Sequence, residues 1–281
     1  MPFSLPPQAL VVWWTVVGLF VGSFLNVCIH RYAIEDETVS RPKRSRCPQC
    51  RTTLTWRENV PVLSWALQLG RCRTCGWRIP LRYPLIELSN AGLWCWAILA
   101  VGTARPGLWI TASVVFSALL FATVVDFDHF EIPDGVSIGG MIVAPVACLL
   151  VPELHAQTWV AQEIALGGPV DPIASLVGGL AGMAMGGGIL WAIGWIGSKA
   201  YGTEAMGFGD VKLLAAGGGF VGPGGALAAL LLAAFVASGF GVLNMVRFLW
   251  ITRSRARARG RRDPWGRSMR IARIAGRYLP F

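Results

Sequence analysis

Long apolar runs joined by short connections leave this 281-residue chain little choice of architecture. Backbone N–H and C=O groups in hydrocarbon must satisfy one another, so a run of about 20 apolar residues crosses a bilayer core of roughly 30 Å as an α-helix. Seven segments suit: Ala9 to Ile29, Pro84 to Val101, Gly107 to Val125, Val136 to Val151, Ile173 to Ile196, Val211 to Val221 and Gly225 to Trp250. The sixth is short and glycine-rich, and is expected to be tilted, broken or merged with its neighbour. Charged residues make up 14% of the chain and its mean hydropathy is +0.54, whereas soluble domains carry roughly 25% charge. The first segment reads as a retained helix and not as a cleaved signal. No basic residue precedes it, and "CIHRY" follows where a small-residue cleavage site would stand.

The formal charge is +10, but the basic residues fall almost wholly into two polar segments. One runs from Arg31 to Arg82; the other is the tail "TRSRARARGRRDPWGRSMRIARIAGRY". Lysine and arginine bias places both on the cytoplasmic side, and an odd number of spans then puts the N-terminus outside. The charge therefore orients the chain, and no nucleic-acid partner is expected. Membrane lipids are the expected partner of the tail, whose basic residues and Trp265 and Tyr278 suit an anionic inner leaflet; a solvated end is the alternative.

The insert between the first two apolar segments is long enough for a folded module but too short for a large core, so it needs a staple. "CPQC" and "CRTCG" supply Cys47, Cys50, Cys72 and Cys75, two C-x-x-C knuckles at zinc-ribbon spacing. Four thiolates close a tetrahedral site, which makes the zinc structural and not catalytic. Two disulfides are the competing reading, disfavoured in a reducing cytosol. Cys28, Cys95 and Cys148 lie singly in apolar segments and read as small core residues. The expected fold class is thus an all-α polytopic membrane protein of about seven transmembrane helices, with a small cytoplasmic zinc-ribbon-like insert after the first. Four regions follow: the first helix (1–30), the four-cysteine insert (31–83), a transmembrane catalytic helical domain (84–250) and a basic tail (251–281).

Gly178, Gly182 and Gly186 recur at four-residue spacing, a ridge that lets another helix approach closely. The connection from Pro152 to Pro172 is the longest on the outer side and carries no recognisable chemistry. Acids at the mouths of apolar segments ask for more explanation, because a charge entering lipid costs about 2.5 to 3.5 kcal/mol or more. The third segment ends in "VVDFDHFEIPDG" and the sixth begins after "MGFGD". Counting spans from the basic insert brings Asp126 and Asp210 to one face and one depth. Two carboxylates held close share a proton, so that one activates water while the other protonates a carbonyl or leaving group. Gly207 and Gly209 admit a close backbone beside Asp210. An N-cap role for Asp210 is the bland alternative. His129 reads as an interface residue, and Lys212 as an ion-pair partner or a snorkelling side chain.

The ordered set "GSFLNVCIHR", paired C-x-x-C knuckles around "RENVPVLSWALQLGRCRTCG", "RYPLIEL", "DFDHFEIPD" and "GFGDVKLL" resembles the bacterial type IV prepilin peptidases, membrane aspartic proteases of the GxGD type. The resemblance covers roughly Gly22 to Leu214. It implies removal of a short basic leader from prepilins or pseudopilins of type IV pili or type II secretion at the cytoplasmic face of the inner membrane. It further implies N-methylation of the new N-terminus with S-adenosylmethionine as donor. Residue by residue, it places the catalytic pair at Asp126 and Asp210 and the metal tetrad at Cys47, Cys50, Cys72 and Cys75; no residue marks a donor-binding site. A basic leader would then lie near Asp128, Glu131 and Asp134. An ion-coupled transporter and an inert membrane-anchored zinc-ribbon module are the alternative functions.

Overall fold

A computed structural model describes residues 6–32, 34 and 44–258, with side chains to 252. Eight α-helices are present among them, and no strands beyond two isolated bridges. They are α1 (Pro7–Tyr32), α2 (Leu63–Leu67), α3 (Arg82–Val101), α4 (Pro106–His129), α5 (Asp134–Leu150), α6 (Trp159–Ile164), α7 (Pro172–Tyr201) and α8 (Phe208–Ala258). Five of these, α1, α3, α4, α7 and α8, are long and apolar enough to cross a membrane, and α5 is a shorter apolar helix. The protein is a multi-pass membrane protein. The sixth and seventh apolar segments are joined in α8, interrupted at Gly222 (φ 73, ψ 179) just before Pro223. Its apolar stretch Phe208–Thr252 has 45 residues, about 68 Å of helix and so room for two crossings. The distal part of the basic tail lies outside the described residues.

The chain divides into two compact units, Met1–Ala226 and Leu227–Phe281. In the second, α8 continues as an apolar helix with most of its side chains exposed.

Helices α1, α3 and α4 are held by a polar ladder inside an apolar shell. Trp14 Nε1 donates to Ser113 Oγ (2.9 Å) and Trp94 Nε1 to Ser117 Oγ (2.8 Å). Ser117 Oγ in turn donates to Asn90 Oδ1 (2.8 Å), and Asn90 Nδ2 donates to the Gly18 carbonyl (2.7 Å). Where helix surfaces are as apolar as lipid, such bonds and close packing supply the specificity of association. Packing is tight here: a Cβ on Gly22 would lie 2.7 Å from Glu87 Cα. Trp14 stacks on Trp94 at 4.5 Å and meets Trp109 edge-on at 4.6 Å.

A second contact joins α7 to the first arm of α8. A Cβ on Gly182 would overlap the Gly218 carbonyl, one on Gly218 would overlap the Gly182 carbonyl, and one on Gly186 would lie 2.6 Å from the Leu214 carbonyl. The glycine ridge is therefore a backbone-to-backbone seam. Its start is set by Asp171, which caps α7 by accepting from the Ala174 amide (2.7 Å) ahead of Pro172 at the first turn.

The connection between α5 and α7 holds a residue whose role the sequence did not reveal. His155 is fully buried between Thr158 Oγ1 and the Gly219 carbonyl, 3.1 Å from each. A carbonyl only accepts, so Nε2 carries the proton and Nδ1 accepts from the Thr158 hydroxyl. Burial pushes this imidazole below its ordinary 6.5. The unfolded imidazole then binds its proton at higher pH than the folded one. The stabilising contribution is complete above about pH 6.5 and is lost as pH falls through the folded value. Thermal unfolding between about pH 8 and pH 5 should show the midpoint falling with acid in the wild type and falling less in His155→Gln. Equal slopes in the two proteins would contradict this role.

Candidate active site

Three chain segments converge at one end of the first unit. Helix α4 ends at His129, and Phe130 closes it in the left-handed conformation (φ 56, ψ 37), its amide donating to the Asp126 carbonyl at 2.8 Å. A bulky residue there is strained by roughly 1–2 kcal/mol, and the turn it makes sends Glu131 to Pro133 back across the bundle into α5. Helix α8 begins at Phe208, two residues before Asp210. A Cβ on Gly209 would lie 3.3 Å from Ile132 Cβ, so the glycine permits direct packing of the α8 start on the α4–α5 turn. Lys212 forms an ion pair with Asp134 across the same junction, one of the two roles expected for it. Gly207 faces nothing closer than Asp210 Oδ2, 3.9 Å from a Cβ placed on it.

This junction brings Asp126 and Asp210 into direct charge–charge range of each other. Both are exposed rather than sealed in the bundle, so water and a chain segment can reach them. Asp128 is engaged elsewhere. It accepts from Arg82, with Nη1 to Oδ1 at 2.9 Å and Nη2 to Oδ2 closing a bidentate pair. That pair ties the end of α4 to the start of α3. His129 contacts the Tyr32 ring at 6.0 Å, the interface role expected of it. Of the acids between α4 and α5, Glu131 makes no ion pair among the described residues. A basic leader would therefore find Asp128 and Asp134 already paired.

Arg82 also marks the end of the cysteine module, which lies at this same end. Its two knuckles repeat one local design. In the first, Cys47 N donates to the Thr52 carbonyl (3.0 Å) and Arg51 N to the Cys47 carbonyl (2.9 Å). In the second, Cys72 N donates to the Trp77 carbonyl (2.8 Å) and Gly76 N to the Cys72 carbonyl (2.9 Å). The residue after each second cysteine has positive φ, Arg51 at 57° and Gly76 at 71°. The four Sγ atoms all lie within 4.8 Å of one another, with Cys47 and Cys75 at 3.8 Å. Zinc–sulfur bonds of about 2.3 Å at tetrahedral angles place sulfurs about 3.8 Å apart. The donor set fits a structural zinc, and all seven cysteines are free of disulfides. Hydrogen bonding by the Thr52 side chain and backbone lowers the Cys50 thiol to about 6, so one ligand is ready to ionise. The module docks on the bundle through buried Glu87 of α3, which accepts from the Val62 amide (2.7 Å), while Asn26 of α1 donates from Nδ2 to the Tyr83 carbonyl in the first turn of α3 (3.0 Å).

Comparison with known proteins gives the family. The bacterial peptidase A24 N-terminal domain matches residues 16–101, and the type IV leader peptidase family matches residues 113–242. A leader peptide-processing enzyme for type 4 prepilin-like proteins from Escherichia coli O78:H11 is 34% identical over 79% of this chain and 80% of its own length. The chain belongs to the type IV leader peptidase family. Prepilin leader peptidase/N-methyltransferases from Myxococcus xanthus (34% identical, 84% of this chain and 63% of the relative) and Aeromonas hydrophila (33%, 80% and 78%) are similar along most of it. No solved structure matches the chain. The first matched family region ends with α3 and the second begins within α4, so the cysteine module falls in one and both carboxylates in the other.

Metal analysis of purified protein should find one zinc per chain, and replacement of Cys72 by Ser should lower it sharply while the membrane helices stay folded, since ligand binding and module folding are one event. Protein free of zinc after gentle purification, yet with an intact module by protease resistance, would refute the assignment.

Proposed function

We propose that the protein is a membrane aspartic endopeptidase that removes the short basic leader from prepilins or pseudopilins and methylates the new N-terminus. The protease half is supported by the charge repulsion between Asp126 and Asp210, which come from distant parts of the chain and are both exposed. Family membership carries the substrate class and the methylation. The inner membrane is the proposed location, with the acids, cysteine module and tail cytoplasmic and the N-terminus outside. The charge distribution supports that orientation, as does the meeting of the module and both acidic motifs at one end.

In this reading the scissile bond lies between the α4 end and the α8 start, with the substrate's apolar segment in the bilayer. Water between the carboxylates gives its proton to one of them as its oxygen attacks the scissile carbonyl carbon. The other carboxyl donates a proton to the leaving nitrogen as the C–N bond breaks, and no covalent enzyme intermediate forms. Asp128 holds Arg82 and thereby the alignment of α3 with α4. Glu131 remains to face a basic leader. The zinc, held by Cys47, Cys50, Cys72 and Cys75, supplies folding stability to the module. S-adenosylmethionine supplies an electrophilic methyl group to the freed amine.

Asp126→Asn and Asp210→Asn should each lower prepilin cleavage by about a hundredfold or more, with zinc content and helicity unchanged. Asp128→Asn should cost much less. Turnover measured for all three variants in one preparation decides the matter: an active Asp210→Asn enzyme would remove the protease mechanism, and an active Asp126→Asn enzyme with a dead Asp128→Asn enzyme would move the catalytic acid two positions along.

A further inference from the structure

Helix α2, between the two knuckles, turns one side in and another out. Inward, Trp65 Nε1 donates to the Ile79 carbonyl (3.1 Å), and a Cβ on Gly70 would lie 2.9 Å from Trp65 Cζ2. Outward, Leu63 and Leu67 stand one turn apart on a shared face, 56% and 70% exposed, and Leu69 just beyond the helix is 85% exposed. The backbone that presents them is strained. Val62 before the helix and Leu69 after it both adopt positive φ, 60° and 52°, a region unfavourable for bulky side chains. A helix of five residues has too few internal bonds to stand alone, so its surroundings must hold it.

Those surroundings place it at the edge of a bilayer. The Val62 amide donates to Glu87 (2.7 Å), and Glu87 stands five residues into α3, about 7.5 Å along a helix that is long and apolar enough to cross a membrane. Leu81, directly before α3, is exposed as well. The charge of the module complements such a surface: between residues 44 and 81 it carries seven arginines, all exposed, against one acid, Glu58. Arg57 and Arg71 flank α2 in the chain, and the Arg57 guanidinium lies 5.3 Å from the centre of the exposed Trp56 ring. Outward leucines flanked by arginine make up an element that lies in the membrane interface, its apolar face sunk roughly 5–10 Å. A protein partner would need acidic groups at the depth where lipid phosphates already supply negative charge.

We propose that α2 and its flanks form an interfacial membrane-docking element. Leu63, Leu67 and Leu69 enter the leaflet on the module's own side, and Arg57 and Arg71 bind its anionic headgroups. The leaflet thereby steadies the module beside the start of α3, where Arg82 grips Asp128. The inference rests on the membrane-crossing helices and is independent of the proposed activity.

Full-length, zinc-loaded enzyme tests it in two ways. With p-benzoylphenylalanine in place of Leu67, illumination in native membranes should join phospholipid to the segment 62–70. In nanodiscs, amide exchange across the same segment should be slower on the order of tenfold or more in phosphatidylglycerol than in neutral phosphatidylcholine, as burial of three leucines allows. The Leu63→Gln, Leu67→Gln, Leu69→Gln triple variant should lose that protection and keep one zinc per chain. Arg57→Gln with Arg71→Gln leaves the leucines and the helix in place; it should remove the difference between the two lipids, as should high salt. Equal exchange of the wild type in both lipids would overturn the proposal, as would the absence of a lipid adduct. A protein adduct at position 67 in place of lipid would overturn it in favour of a protein partner.

Discussion

The approach of α7 to the first arm of α8 is the contact on which the site depends. Gly182 and Gly218 face each other with no room for a Cβ on either, so the two backbones touch where side chains would otherwise hold helices about 8–10 Å apart. Close contact of this kind replaces the hydrophobic driving force that is absent between helices in lipid. It fixes the height and rotation of the first arm, and with them the position of Asp210 four residues before Leu214, whose carbonyl meets Gly186. At the other end of the same arm, His155 donates from Nε2 to the Gly219 carbonyl and accepts at Nδ1 from the Thr158 hydroxyl. A bulky residue at Gly182 would therefore disturb a carboxylate it never touches.

From that anchor the acidic end is assembled by contacts of different kinds. Gly209 packs on Ile132, Lys212 pairs with Asp134, and Arg82 grips Asp128. These pairs are exposed, so their value lies in alignment more than in energy. They join α3, α4, α5 and α8 at one end, where Asp126 and Asp210 both remain exposed. Phe130 and the β-branched Val62 both adopt positive φ, conformations that persist only where surrounding contacts over-determine them. Val62 is held by Glu87 and Phe130 by the Asp126 carbonyl.

Much of this was legible in the sequence because it depends on spacing and hydropathy. Apolar runs gave the long helices within a few residues, the paired C-x-x-C knuckles gave a cluster of thiols, and span parity brought Asp126 and Asp210 to one end. Segment count was less legible, since a glycine–proline break inside one helix and a gap between two helices look alike in hydropathy; Gly222 and Pro223 make the former. Side-chain partners were harder still. Nothing in the spacing distinguishes Asp128, which pairs with Arg82, from Asp126, which does not, because the pair closes between residues distant in the chain. His155 was missed for the same reason: its partner is the Gly219 carbonyl, a backbone atom that leaves no mark in the sequence.

The account stands on the meeting of the α4–α5 turn with the start of α8, and that meeting can be measured directly. Cysteines at Gly209 and Ile132 would have Cβ atoms 3.3 Å apart before relaxation, close to the roughly 3.5–4.5 Å of a disulfide. Mild oxidation of the Gly209→Cys, Ile132→Cys double variant in native membranes, followed by proteolytic cutting within the α5–α7 connection and mass analysis, reports the contact. The two halves should remain linked until reduction, and neither single variant should link them. Separation of the halves in the oxidised double variant, with both cysteines reactive to thiol reagents, would mean that the α8 start does not meet the α4–α5 turn, and the proposed pairing of Asp210 with Asp126 would fall with it.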